Sequence, residues 1–504
     1  MKINLIGHDY KYAVEQIMLA LFPRERPDYG SNGETAFSAV SRLSYGDVFA
    51  QATTIIRRNG TDSCGISRVR RDRLADKLAT DRHLQRIVKQ SFYKAAMSFV
   101  GVPPVWGSLT GIRPARVAAA SLSSGKSEKS TAKYLVDEFH VSPERAKLCL
   151  DAAQSAHHVM QSLEPSDIAL YVGIPFCPSR CAYCSFVSNS VEKSFGSVDP
   201  FVQKLLQEIT AIADTISLLG LRIIALYIGG GTPTSIPDDS FENILRTLWS
   251  SLDLTNVREY TVEAGRPDTI TSHKLELMSR YAVGRVCVNP QSMSDDVLSA
   301  IGRRHTTQDT IEAVRLVRQI GLSLNMDVIA GLPGDTEAGF RKTLDAVLDL
   351  KPENVTVHTL SLKKGSRIML EEMERLNGSG GSDGSDDSSV HVNPSGAEVS
   401  KMLEYAAHRL RGSGFSPYYL YRQKFSSGGF ENTGWTLPGH EGLYNICMME
   451  ELCSVLSLGG GAVTKLVSQT GRIERIFNAK YPREYILQAN KIADKIEKIR
   501  HFYL

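Results

Sequence analysis

Cys177, Cys181 and Cys184 lie within eight residues of one another in the stretch 171–186, YVGIPFCPSRCAYCSF, at a C-x3-C-x2-C spacing. Three thiolates on a short loop suit an iron-sulfur cluster. A [4Fe-4S] cube normally takes four cysteines, so three leave one iron with an open position for a further ligand. Structural zinc is the alternative, but zinc prefers four closed ligands in paired spacings, and the nearest imidazoles, His157, His158 and His273, are far away in sequence. The spacing therefore favours a cluster with one open corner.

A second stretch with chemical potential is Gly229, Gly230, Gly231, Thr232, Pro233 and Thr234, directly after an apolar run. Glycines carry no Cβ, so this backbone can approach a ligand closely and offer its amides and carbonyls. A tight turn is the plain structural account of such a run. Its place one strand after a cluster-binding loop gives it weight.

These loops need rigid supports. Residues 168–360 alternate short apolar, β-rich runs with longer segments of helical period, as a parallel sheet with crossover helices requires. The expected strands are 168–173, 223–228, 259–263, 285–288, 322–330 and 354–360. Phe201, Leu205, Ile209 and Ile212 share one helical face, as do Phe340, Leu344, Val347 and Leu348, so the connections read as amphipathic helices. Right-handed units of this kind curl toward a barrel, and chemistry gathers where its strands end. Cys177 follows the first strand, residues 229–232 follow the second, and Glu263 closes the third.

The fold class expected is α/β, a partial (β/α)6 barrel over residues 161–361. Residues 1–160 have a different texture, an α+β domain with helical segments at 74–100 and 130–155 and no catalytic signature. Residues 362–504 read as a mostly helical, substrate-side extension with helical segments at 399–410 and 483–499. Within it, residues 377–396 are rich in Gly, Ser and Asp with little to bury, which predicts a flexible surface insertion.

At 504 residues, 42% hydrophobic and 22% charged, the composition is that of an ordinary globular protein of two or three domains. No apolar run reaches the roughly 20 residues of a membrane span. The first residues turn polar at His8 and Asp9, unlike a secretory signal, and the cysteine pattern suits a reducing compartment, so a cytoplasmic location is expected. The net charge of +3 and the lack of a basic stripe argue against nucleic acid; the cluster at 68–73 reads as a solvated face.

The cysteine motif resembles that of radical S-adenosylmethionine enzymes, in which the open iron chelates the methionyl amino and carboxylate groups of the cofactor. An electron from the cluster then releases methionine and a 5′-deoxyadenosyl radical. Further residues are similar to the oxygen-independent coproporphyrinogen III oxidases: Tyr171 six positions before the first cysteine, Glu263 in V-E-A, Gln291, Arg303 twelve positions later, and Asp327 in DVIAGLP. The resemblance implies that these five, with Tyr183, Gly230, Gly231, Thr232 and Thr359, surround two S-adenosylmethionine molecules. Residue chemistry agrees, since Glu263 and Asp327 accept from hydroxyl or amino donors and Arg303 forks onto carboxylates.

Residues 107–114, 418–424 (YYLYRQK), 432–445 (NTGWTLPGHEGLYN) and 457–462 (SLGGGA) are similar to the HemZ-type coproporphyrinogen dehydrogenase branch. That branch implies oxidative decarboxylation of two propionates of coproporphyrinogen III to vinyl groups, giving protoporphyrinogen IX. It also implies a tetrapyrrole substrate, a flavodoxin or similar electron donor, an unidentified final electron acceptor and a chain acting as a monomer. Arg422 is the candidate carboxylate partner, with Lys424 and Arg113 behind it. Two alternatives stand beside this reading: a radical enzyme that methylates or opens a porphyrin, and a heme-binding chaperone with His440 and Tyr444 as axial ligands. The chain departs from the better characterised oxidases in carrying Gly173 where they have a His two positions after the Tyr. It also has Ser185 and Phe186 where they have a further Cys. The first change removes a possible donor beside the cluster or cofactor.

Overall fold

Alternating buried and exposed positions build the N-terminal sheet: β1 (Lys2–Ile6), β2 (Phe37–Tyr45), β3 (Phe49–Arg58) and β4 (Thr61–Arg70). In the computed structural model, which describes residues 1–23, 25–30, 36–184, 189–361, 366, 394–423, 429–488 and 490–504, β1 runs parallel to β2, and β2, β3 and β4 form an antiparallel meander. Helices Lys11–Leu21 and Lys77–Ala96 bury Val14, Ile17, Ile87 and Phe92 against Ala39, Ala52 and Ile56 of the sheet. The helical stretch expected at 130–155 is two helices, Glu128–Phe139 and Pro143–Gln161. His140, with φ 57°, takes the left-handed conformation that ends the first.

The chain divides into two compact units, Met1–Leu150 with Gly428–Phe430, and Asp151–Ser427 with Glu431–Leu504. In the second, the six expected strands form β5 (Asp167–Ile174), β8 (Arg222–Gly230), β9 (Glu259–Val262), β10 (Arg285–Cys287), β11 (Ser323–Ala330) and β12 (Asn354–Thr359), all parallel. Between β5 and β8 lies a small parallel pair, β6 (Phe176–Cys177) and β7 (Asn189–Ser190). The connecting helices are cut to length by local signals. Thr306 and Asp309 form a capping box before Thr307–Ile320, and Gly321 closes that helix at φ 80°.

Among its described residues the C-terminal part contains four helices, Gly396–Gly412, Leu443–Glu450, Pro482–Leu487 and Lys491–Tyr503, and it also widens the sheet. β13 (Ser416–Arg422) and β14 (Glu431–Thr436) join antiparallel beyond β12; β15 (Ser454–Gly459) lies parallel to β5; β16 (Val463–Val467) and β17 (Ile473–Phe477) follow it antiparallel. The order is β13-β14-β12-β11-β10-β9-β8-β5-β15-β16-β17, with the two end strands unpaired to each other. The first of these C-terminal helices begins inside the expected flexible insertion: Ser395 caps it in a capping box with Glu398, while residues 377–393 lie outside the described residues. Among the described residues no helix is long and apolar enough to cross a membrane.

Period-two alternation sorts the second unit's strands into an outer and an inner set. The outer set, including Val172, Ile228, Val262, Val286, Val328 and Val357, is buried and apolar. The inner set reads in cross-strand rows: Ser457, Tyr171, Tyr227, Thr261 and Arg285, then the glycine row Gly459, Gly173 and Gly229, then Cys287, Asn325 and Asn354, and above them Asp327 with Thr356 and Ile329 with His358. A packed barrel fills such rows with bulky aliphatic residues. Here, Ile329 and Cys287 apart, they are polar, tyrosine or glycine, and the curled sheet borders a cavity of about 550 Å³.

Candidate active site

Cys177, Cys181 and Cys184 line this cavity and are each half-buried. The glycine run clamps their loop from below, with the Gly231 amide donating to the Ile174 carbonyl at 2.8 Å and the Thr232 amide to that of Phe176 at 2.6 Å. A Cβ at Gly231 would lie 2.3 Å from the Phe176 carbonyl oxygen, so only glycine permits this approach. Thr232 Oγ1 sits 3.6 Å from Cys177 Sγ. Among the described residues, no three His, Cys, Asp or Glu side chains converge to hold one metal ion.

Arg303 reaches the cysteine loop from the helix side. Its Nη1 donates to the carbonyls of Asn289 at 2.7 Å and Gly265 at 3.1 Å, and its Nη2 to the Tyr183 hydroxyl at 3.3 Å. Its Nε, Asn289 Oδ1 and Gln291 Oε1 are buried without a hydrogen-bond partner. Buried polar atoms are almost always paired, so three orphans on one wall fit a polar ligand. Gln291 is held there at φ 68°, a left-handed conformation that costs a bulky side chain on the order of 1 kcal/mol.

The neighbouring strand ends carry acids, the Asp327 carbonyl accepting from the Gln291 amide at 2.9 Å. Glu263 is pushed up to about 7 by burial and by the nearby Asp327 carboxylate. Asp327 itself is held below the ordinary carboxylate range: burial alone would raise it, but His358, Asn325 and Thr356 outweigh that. His358 Nε2 lies 3.5 Å from Asp327 Oδ2, and Asn325 Nδ2 donates to Asp327 Oδ1 at 2.9 Å. Burial opposes the charge on His358, yet Asp327 raises its affinity for a proton.

A tyrosine stack forms the floor. Tyr171, Tyr227 and Tyr444 lie nearly parallel, with ring centroids 4.5 to 6.3 Å apart. Burial raises all three phenols and keeps them neutral. Glu259 fixes the helix bearing Tyr444: its Oε2 accepts from the Tyr444 amide at 2.7 Å, and its Oε1 from Arg285 Nη1 at 3.0 Å. Arg285 Nη2 and Asn354 Nδ2 both donate to the His440 carbonyl, each at 2.7 Å.

Tyr171, Tyr183, Gly230, Gly231, Thr232, Glu263, Gln291, Arg303, Asp327 and Thr359 all line the cavity with the three cysteines. Thr359 has its hydroxyl committed to the Glu431 carbonyl at 2.8 Å. Arg422 is not part of the cavity wall; it pairs in register with Glu431 at the end of β13. Arg113 belongs to the first unit, and Lys424, Ser185 and Phe186 lie outside the described residues. Tyr444 lines the cavity and His440 does not. Sequence reasoning missed Tyr227, Glu259, Arg285, Asn289, Asn325, Asn354 and His358. Their signal was available as polar residues on one face of apolar strands.

The profile of the Radical SAM superfamily matches residues 171–347. The oxygen-independent coproporphyrinogen-III oxidase-like protein HemZ of Bacillus subtilis is 36% identical over 425 residues, which cover 83% of this chain and 81% of the relative. The chain belongs to the HemZ group of the radical SAM superfamily. Heme chaperone HemW of Haemophilus influenzae is 24% identical over 68% of this chain and 83% of its own. The structure of coproporphyrinogen III oxidase HemN from Escherichia coli aligns with a TM-score of 0.47 at 19% identity, over 71% of this chain and 82% of that one.

Membership of the radical SAM superfamily brings a [4Fe-4S] cluster and S-adenosylmethionine as cofactors. The cavity fits both. It presents three thiols on one loop, a glycine-lined floor beside them, and orphaned donor and acceptor atoms at the depth a nucleotide would reach.

Proposed function

We propose that the chain is an oxygen-independent coproporphyrinogen III dehydrogenase that converts two propionates to vinyl groups in the cytoplasm, giving protoporphyrinogen IX. The cavity that gathers all thirteen expected cofactor residues in a HemZ-group chain is the observation that carries this reading. Each turn removes a hydrogen atom from the β-carbon of a propionate, and the carboxyl group leaves as carbon dioxide with one electron passing to an acceptor. When bound, the cluster and S-adenosylmethionine supply the hydrogen abstraction.

Within this reading Cys177, Cys181 and Cys184 hold the cluster, and the backbone of Gly230 and Gly231 with Thr232 receives the cofactor's amino end. Arg303 pairs with its carboxylate, Glu263 and Asp327 accept from its hydroxyl or amino donors, and Gln291, Tyr183, Tyr171 and Thr359 complete the enclosure, with room for a second cofactor molecule. The neutral Tyr171, Tyr227 and Tyr444 give the reacting carbon a dry wall. A flavodoxin or similar protein feeds the cluster, and the chain works as a monomer.

Anaerobic reconstitution with iron and sulfide, followed by mass analysis of a coproporphyrinogen III reaction, tests the proposal. Protoporphyrinogen with two carbon dioxides is expected; 5′-deoxyadenosine without any change in the tetrapyrrole contradicts the substrate. The similarity to HemW favours one second reading, a chaperone that passes heme to client proteins. Stoichiometric heme binding with no consumption of coproporphyrinogen is its signature.

A further inference from the structure

Among the described residues of the cavity wall, His358 is the one histidine. The three arginines there are engaged elsewhere: Arg266 with Asp268 at 3.0 Å, Arg285 with Glu259 at 3.0 Å, and Arg303 with two backbone carbonyls and, in the proposed reading, the cofactor. His358 is held by Asp327, its Nε2 3.5 Å from Asp327 Oδ2, and by the Asn432 side chain, and its ring remains partly exposed on the cavity wall, where it meets an entering acceptor.

Gly173, where an imidazole is absent, leaves no room for one. A Cβ at Gly173 would lie 3.1 Å from the Gly460 carbonyl oxygen and 3.3 Å from the Tyr171 ring, so the glycine loop fills that volume with backbone. Glu263 links the two places: its Oε2 comes within 2.7 Å of where a Gly229 Cβ would be, in the row of Gly173, and its charge acts on His358. His358 on β12 therefore shares the cavity with Tyr171, Tyr227 and Glu263, the side chains that stand against the glycine row. Asn289 and Gln291, with their orphaned amide oxygens, line it as well.

We propose that His358 is a substrate-contact residue that receives one carboxylate of the acidic substrate. The inference rests on the tetrapyrrole reading, and the carboxylate is then a propionate. Bridged between Asp327 and the substrate, the imidazolium carries a charge-assisted hydrogen bond to each, which orients the propionate chain without neutralising it by a guanidinium.

The test is a fluorescence titration of the anaerobically reconstituted full chain with coproporphyrin III, which binds without reacting, and with its tetramethyl ester. His358→Gln is expected to weaken coproporphyrin binding about tenfold, the worth of one such bond, and to leave ester binding unchanged. His358→Lys, which keeps a cation, is expected to stay within about threefold of the wild type. Equal affinity of His358→Gln and wild type for coproporphyrin overturns the inference and leaves the tetrapyrrole reading standing. A wild-type chain that binds no coproporphyrin overturns both. Should His358→Gln melt lower than wild type, the wild-type chain alone decides: preference for the acid over the ester supports the inference, and equal affinity overturns it.

Discussion

Glu263 shows what a single buried carboxyl does to this molecule. Its affinity for a proton is raised to about 7 in the folded chain by burial and by Asp327. Between its unfolded value near 4.3 and about 7, the folded state binds more protons than the unfolded state. Stability is therefore fullest below the unfolded value and falls as pH rises through that window, by up to about 1.4 kcal/mol per pH unit. Cofactor-free wild-type protein should melt lower at pH 8 than at pH 5.5, and Glu263→Gln should flatten the difference; an unchanged slope in the variant would assign it to other groups. Asp327 works in the opposite sense, held ionised by His358 and Asn325. Two acids on one wall are thus driven apart in ionisation, an arrangement common at functional sites.

Elements set where these residues meet, and here glycine decides. Gly459, at φ 86°, would place a Cβ 2.1 Å from the Gly173 carbonyl oxygen, so β15 can lie against β5 only as glycine. Gly459→Ala should cost at least about 2 kcal/mol in urea unfolding, whereas Gly196→Ala, with nothing within 4 Å of its Cβ, should stay within about 0.5 kcal/mol. The buried Glu259 and Arg285 pair is a second such joint. Removing one partner leaves a charge without compensation, so Glu259→Ala should lose about 3–5 kcal/mol and free the helix bearing Tyr444. Much of this was legible beforehand. Six strands, their helices and the cysteine, glycine and Glu263 positions follow from periodicity and spacing, because parallel strands covered on one face keep a strong apolar pattern, while Asp327 comes from the resemblance to the coproporphyrinogen oxidases. β13 to β17 were not legible: their sequences include Pro417, Gly434 and Gly459, and β15 inserts beside β5 from nearly 300 residues away along the chain. The tyrosine stack was hidden for the same reason, since Tyr444 joins Tyr171 and Tyr227 only through long-range packing.

Across the second unit, the last helix reaches back to the site through buried charge. Glu208, on the helix Val198–Leu218, accepts from Lys495 Nζ at 2.9 Å, the Tyr485 hydroxyl at 2.6 Å and the Gly459 amide at 2.8 Å. Lys495 also donates to the Ser457 carbonyl, so one carboxylate ties the C-terminal helix to the glycine loop in the cavity wall. Lys495→Met strands that carboxylate and should destabilise the second unit by about 3–5 kcal/mol, measured by urea unfolding. Loss of under 1 kcal/mol would mean the network is ornamental to the fold. The central claim remains that three thiolates hold an iron cube whose open corner takes S-adenosylmethionine. Electron paramagnetic resonance of the reduced, anaerobically reconstituted chain tests it directly. The account predicts a cluster signal that shifts when S-adenosylmethionine is added and is lost on substitution of Cys177, Cys181 or Cys184 by Ser. A signal indifferent to the cofactor, or purified protein holding stoichiometric zinc in place of iron, would contradict it.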